Sequence, residues 1–157
     1  MTKKKLINQL INSRKLSSNE EYEQFEDALI KLQGNVQADD IYELCNAFYD
    51  NTESEEVMFG LIHFIEQFPD NEYLRCIAMC SPNMKDAYNW SIILNMRILN
   101  NESSFETYVK IISDMENDYK TKILELLTNI KNEDEVRFGK KVDYIIEKVG
   151  NLWLDII

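Results

Sequence analysis

The single histidine, His63, stands three residues before Glu66. At that spacing an imidazole and a carboxylate share one helix face and can hold a metal ion together, but di-metal helical centres need two such motifs. No second histidine exists to build the other, so His63 is expected to be a surface or groove residue and no metal site is assigned. Cys45, Cys76 and Cys80 make an odd number of thiols. Cys76 and Cys80 fall on one helix face without CxxC spacing or a nearby histidine, so all three read as buried free thiols of a reducing compartment. The clusters Glu20-Glu21-Glu23, Asp39-Asp40-Glu43 and Glu133-Asp134-Glu135 supply paired carboxylates of the kind used in acid–base work. Acidic side chains at helix starts also complement the macrodipole without any catalytic role. The chain contains no GxSxG, GxxxxGK, HExxH or GxGxxG. No catalytic residue and no cofactor is assigned.

The set Asp86, Asn89, Arg97 and Asn100 is of another kind. With Ile93 it forms one strip of a helix expected over residues 84–101, whose other sides carry Ala87, Tyr88, Trp90, Leu94, Met96, Ile98 and Leu99. A helix that is apolar around most of its circumference must be covered on several sides. It is therefore the expected centre of the domain. Its polar strip either bonds to neighbouring helix ends or floors a groove that contacts a partner.

The elements around it are expected to be helices as well. The chain has 157 residues, 45% of them hydrophobic, with only four Gly and two Pro, which suits one domain of packed helices. The lysines at 3–5 imitate a secretory leader, but the following segment is broken by Asn and Gln. No apolar run approaches the roughly 18 residues that span a bilayer. The expectation is a cytoplasmic protein without membrane contact. Residues 1–16 carry a net charge of +5, residues 17–56 of −11 and residues 57–157 of −5. So acidic a body repels nucleic acid and anionic membrane and attracts a basic partner, while the basic first helix remains able to touch something anionic.

Along the chain, a short amphipathic helix over residues 2–12 caps the core. A second starts at the capping-box pair Ser18 and Glu21, buries Tyr22, Phe25, Leu29 and Leu32, and stops at Gly34. A third spans residues 38–49 with Asp39, Asp40 and Glu43 outward; a fourth spans 54–68, with Thr52 and Glu55 at capping-box spacing; a fifth spans 71–80, before Ser81-Pro82. Ser103 or Ser104 starts a seventh with Met115 inward. An eighth over residues 118–130 buries Tyr119, and a ninth begins at Asn132 and Glu135. Trp153 in the closing LWLDII is expected to dock on the last helices. Helix is expected for more than about 60% of residues, well above the usual third. Pairing two with three, four with five, six with seven and eight with nine gives antiparallel hairpins, arranged either as a short HEAT-like solenoid or as an irregular helical bundle.

The run EEVMFGLIHFIEQFP, the short fifth helix and the segment P-x5-YNWSIIL-x-MRILNN together resemble the immunity protein 30 family of bacterial polymorphic toxin systems, over roughly residues 25–146. The most specific part is the helix from Trp90 to Asn100. The resemblance implies an all-α cytoplasmic protein, not an enzyme, that binds and neutralises a cognate protein toxin; it carries no toxin-contacting residues. The partner surface expected from the residues themselves is the acidic set Asp39, Asp40 and Glu43, facing a basic partner such as a nuclease domain, together with Asp86, Asn89, Arg97 and Asn100. A HEAT-like adaptor that assembles cellular proteins is the alternative.

Overall fold

The computed structural model describes residues 1–154, with side chains described for residues 1–150. Helix covers 79% of the chain, and no strand occurs among the described residues. The helices are α1 (Lys3–Ser13), α2 (Asn19–Leu32), α3 (Ile41–Leu44), α4 (Glu55–Glu66), α5 (Asp70–Cys80), α6 (Tyr88–Asn100), α7 (Glu102–Ser113), α8 (Asn117–Glu133) and α9 (Glu135–Leu154). The side chain of Trp153 lies outside the described residues. No helix among those residues is long and apolar enough to cross a membrane.

Helix starts follow the rule that a side-chain acceptor must serve the first unpaired N–H groups, but the acceptor is often not the expected one. Ser18 does accept from the Glu21 N–H (3.1 Å), while the Glu21 carboxylate reaches back to Ser17, one residue before the cap. Asn101, not either serine, caps α7 by accepting from the N–H groups of Ser103 and Ser104 (3.1 and 3.3 Å). Asp134, not Asn132, accepts from Arg137 at the start of α9 (3.1 Å). Thr52 donates to the Arg14 carbonyl (3.2 Å) and caps nothing, because Ser54 is the residue at the head of α4. Gly34 has φ +79° just past α2, the left-handed stop its position suggests.

The third helix is much shorter than the expected 38–49. Only Ile41–Leu44 is α-helical, flanked by 3-10 turns at Ala38–Asp40 and Cys45–Ala47, and Phe48 is extended. Arg14 Nη1 donates to the carbonyls of Asn46 (3.1 Å) and Phe48 (2.9 Å) and so satisfies acceptors that further helical turns would have used.

In the packing, α1 lies closest to α2, α5 to α7, and α8 to α9. The first two pairings differ from the expected hairpins. The helices α3, α5, α7 and α9 nevertheless touch in order, as the second helices of stacked hairpins do. The segment α6 is central as expected, in contact with α7, α8, α9 and the 3-10 turn Ser81–Asn83. A continuous core that includes Phe25, Phe48, Leu61, Tyr108 and Phe138 joins the layers. Tyr22 and Tyr119, both expected inside, are 46% and 38% exposed.

Candidate functional site

The seven positions singled out in the sequence divide into three places. Asp86 is not on α6 at all: its φ of +57° ends any helical path, and α6 begins two residues later. Asp and Asn tolerate this left-handed conformation better than most side chains. Arg14 on the other side of the chain crossing donates to the Lys85 carbonyl (3.3 Å) and to Asp86 Oδ2 (3.3 Å), and its guanidinium lies 4.7 Å from the Tyr49 ring centre. The Asp86 carbonyl accepts the Asp50 N–H (2.8 Å), and the Asp50 carboxylate in turn accepts from the backbone N–H of Asn89 (3.0 Å) and of Trp90 (3.3 Å). Asp50 is thus the cap of α6, supplied from 39 residues upstream. Trp90, 3% exposed, donates from Nε1 to the Tyr49 carbonyl (3.0 Å) and meets Phe59 edge-on at 5.2 Å. Sequence spacing cannot show a cap that comes from a turn 39 residues upstream, so Asp50 and Arg14 were missed.

Arg97 and Asn100 sit at the other end of α6. They line a groove of about 630 Å³ with Glu66, Asp70, Tyr73 and Glu102. Arg97 Nε and Nη2 donate side-on to Glu66 Oε2 and Oε1, both at 2.8 Å, and the pairing raises the guanidinium pKa further. Asp70 accepts from the Ser104 hydroxyl (2.7 Å). Burial, with the charges of Glu66 and Asp70, pushes Tyr73 up to about 12. The strip therefore has its two charged members, Asp86 and Arg97, tied to neighbouring segments, and leaves the side chains of Asn89 and Asn100 at the surface.

Between the two ends, α6 carries a polar residue the strip did not include. Asn95 is fully buried; its amide donates to Ser81 Oγ (3.0 Å) and to the Ser91 carbonyl (2.9 Å), and its carbonyl oxygen accepts from the hydroxyl of the fully buried Tyr108. The signal was present in the sequence, since Asn95 interrupts an apolar run on the face opposite the exposed one. It is a tie between α6, α7 and the turn at Ser81.

The acidic set on α3 and the 3-10 turn before it is also divided. Asp40 is turned inward and engaged: its carboxylate accepts the Gln37 N–H (2.8 Å), capping the 3-10 turn, and pairs with Lys3 Nζ at 3.1 Å. This corrects the expectation that all three carboxylates point outward, and it gives one lysine of α1 an internal partner. Asp39 and Glu43, four positions apart, are exposed.

For chemistry the geometry offers little. His63 is exposed. No group of three or more His, Cys, Asp or Glu side chains able to hold a metal occurs among the described residues. The thiols are free, with Cys45 and Cys76 buried and Cys80 partly so. Cys45 Sγ lies 2.9 Å from Cys80 Sγ, and that hydrogen bond together with burial holds the Cys45 thiol well above its usual pKa. Such a thiol is a poor nucleophile.

The family model for immunity protein 30 matches residues 12–108. The match begins earlier than the resemblance read from the sequence and stops within α7, so α8 and α9 lie outside it. No curated protein and no solved structure matches the chain. With the matched region taking up more than half of its length, the chain belongs to the immunity protein 30 family.

Proposed function

We infer that this protein neutralises a cognate protein toxin in the cytoplasm of the producing cell by stoichiometric binding, without catalysis. The observation that carries this reading is the family match over residues 12–108. Occlusion of a toxin needs a complementary surface and no reactive group. The matched region holds the whole of the acidic segment 17–56, with its net charge of −11. Asp39 and Glu43 are exposed within it. A surface of this sign suits a basic partner, and a nuclease domain is basic because it must grip phosphate. The ligand is then a protein, not nucleic acid or membrane. In this reading Asp39 and Glu43 make the contact, Asp40 orders the turn that presents them, and Asp86 and Arg97 hold α6 in place. The test is co-production in bacteria with the toxin domain encoded beside the gene. Growth restored by the wild-type chain supports the reading; cells that die with the protein folded and abundant overturn it.

A further inference from the structure

The exposed Asp39, on the 3-10 turn that leads into α3, lies near a second feature. A groove of about 480 Å³ runs between α5 and the α7–α8 junction, lined by Arg75, Met79, Ile111, Met115 and Tyr119, with Asp114 and Glu116 at its edge. Ile111 and Met115 are half-buried against the core, Met79 is half-buried, and Tyr119 is open to solvent. The groove is joined to α3 by Tyr42, whose hydroxyl donates to Met79 Sδ at 3.3 Å. Burial raises the pKa of Tyr42 and of Cys76, the neighbour of Arg75, and Asp39 is close enough to both for its charge to add to the shift. The helices that carry these residues, α3, α5 and α7, touch in order. The result is one surface with an apolar floor, a single cation at Arg75, and an acidic border made by Asp114 and Glu116, with Asp39 near its α3 side.

We propose that this groove is the anchoring site for the toxin, and that it receives an apolar or aromatic side chain carried on a basic segment of the partner. The inference rests on the immunity reading and gives it a location. Charge complementarity selects the occupant: Asp114 and Glu116 at the edge, with Asp39 nearby, outnumber the one guanidinium and favour a cationic segment. A second copy of this chain, at net charge −11, would bring a like-charged border against this one. The two methionines suit the role because an unbranched thioether repacks around a partner at little cost. Tyr119 supplies a rigid aromatic face of the type that dominates interface energetics. The acidic border then governs approach, and the floor governs residence.

The experiment uses the full chain and the purified toxin domain encoded beside its gene. Rates are measured for wild type, Tyr119→Lys, Met115→Lys and the conservative Tyr119→Phe, each first shown to melt like wild type. The expected result is dissociation faster by about tenfold or more in both lysine variants, association within about twofold, and near wild-type dissociation for Tyr119→Phe. If wild type binds and both folded lysine variants dissociate at the wild-type rate, the groove is not the anchor although the immunity reading stands. If wild type does not bind, the immunity reading itself falls and the groove assignment falls with it. Sedimentation of the free protein as a dimer that Tyr119→Lys breaks would also overturn the proposal, by giving the groove to a second copy.

Discussion

Glu66 on α4 and Arg97 on α6 meet side-on, Nε to Oε2 and Nη2 to Oε1, both at 2.8 Å. Two parallel hydrogen bonds fix the relative rotation of the two helices as a single point contact would not. The pair closes one side of the groove that also contains Asn100, and it turns a cation that looked available for a partner into an internal strut.

The strut is partly solvated, with side-chain exposures of 38% for Arg97 and 24% for Glu66. Screening keeps such pairs near the low end, so Arg97→Ala is expected to lower stability by about 1 kcal/mol. A double-mutant cycle with Glu66→Ala, read by urea unfolding, should give a coupling of comparable size. Additive losses would show that the two helices are held by packing alone.

Asn95 is the polar position with more at stake. Replacing it by Leu removes the acceptor for the buried Tyr108 hydroxyl and the donor to Ser81. Leaving buried groups unpaired is expected to cost about 1–3 kcal/mol. Adding Tyr108→Phe to Asn95→Leu should recover part of the loss, since the orphaned hydroxyl is then gone. A double variant less stable than Asn95→Leu by the full effect of Tyr108→Phe would mean that the two residues are not coupled.

Trp90→Ala is expected to cost about 3–5 kcal/mol, the range for deleting a large buried aromatic, out of a total of about 5–15 kcal/mol. The residue fills the space between Phe48 and Phe59 and also donates to the Tyr49 carbonyl. Thermal melting is the readout. A variant as stable as wild type but unable to bind toxin would place Trp90 in the interface instead.

The central position of α6 and the all-helical class were legible because apolar periodicity and scarce Gly and Pro report burial directly. Helix ends were less so. Asn101, Asp134 and Asp50 do the capping where Ser103, Asn132 or nothing was expected, since spacing identifies residues able to cap but not which one the chain path brings into reach. The outward reading of Asp40 failed for the same reason: a carboxylate three residues after Gln37 is equally able to close a turn. Asp39 and Glu43 were read as exposed and are. The groove near Asp39 was invisible in the sequence, because Tyr119 and Met115 have the spacing of buried residues and only the junction of α7 with α8 leaves Tyr119 open and Met115 half-buried.

Alkaline titration offers a check on packing beside both grooves, with Tyr42 next to one and Tyr73 lining the other. Burial pushes Tyr42 and Tyr73 up to about 12, from 10.0. Below pH 10 both states hold these protons; above it the unfolded chain releases protons that the folded chain keeps. The stability they contribute is therefore complete below pH 10 and is lost as pH rises through 12. Absorbance at the tyrosinate band should show at least two of the eight tyrosines ionising late, and Tyr42→Phe and Tyr73→Phe should each remove one late step. Titration of all eight near pH 10 in the folded protein would contradict the burial of both.

The most direct test of the account is the rate at which the chain meets its toxin. Asp39→Lys with Glu43→Lys leaves Asp40 to cap its turn and pair with Lys3, so folding should be unchanged. Stopped-flow mixing with the toxin domain encoded beside the gene should then show association slowed by about tenfold at low ionic strength, with the difference shrinking as salt is raised, because steering of this kind changes association rates by about 10 to 1,000-fold and is screened. Dissociation should stay within about twofold. An association rate indifferent both to the double reversal and to salt would contradict the claim that this acidic face is what the toxin meets.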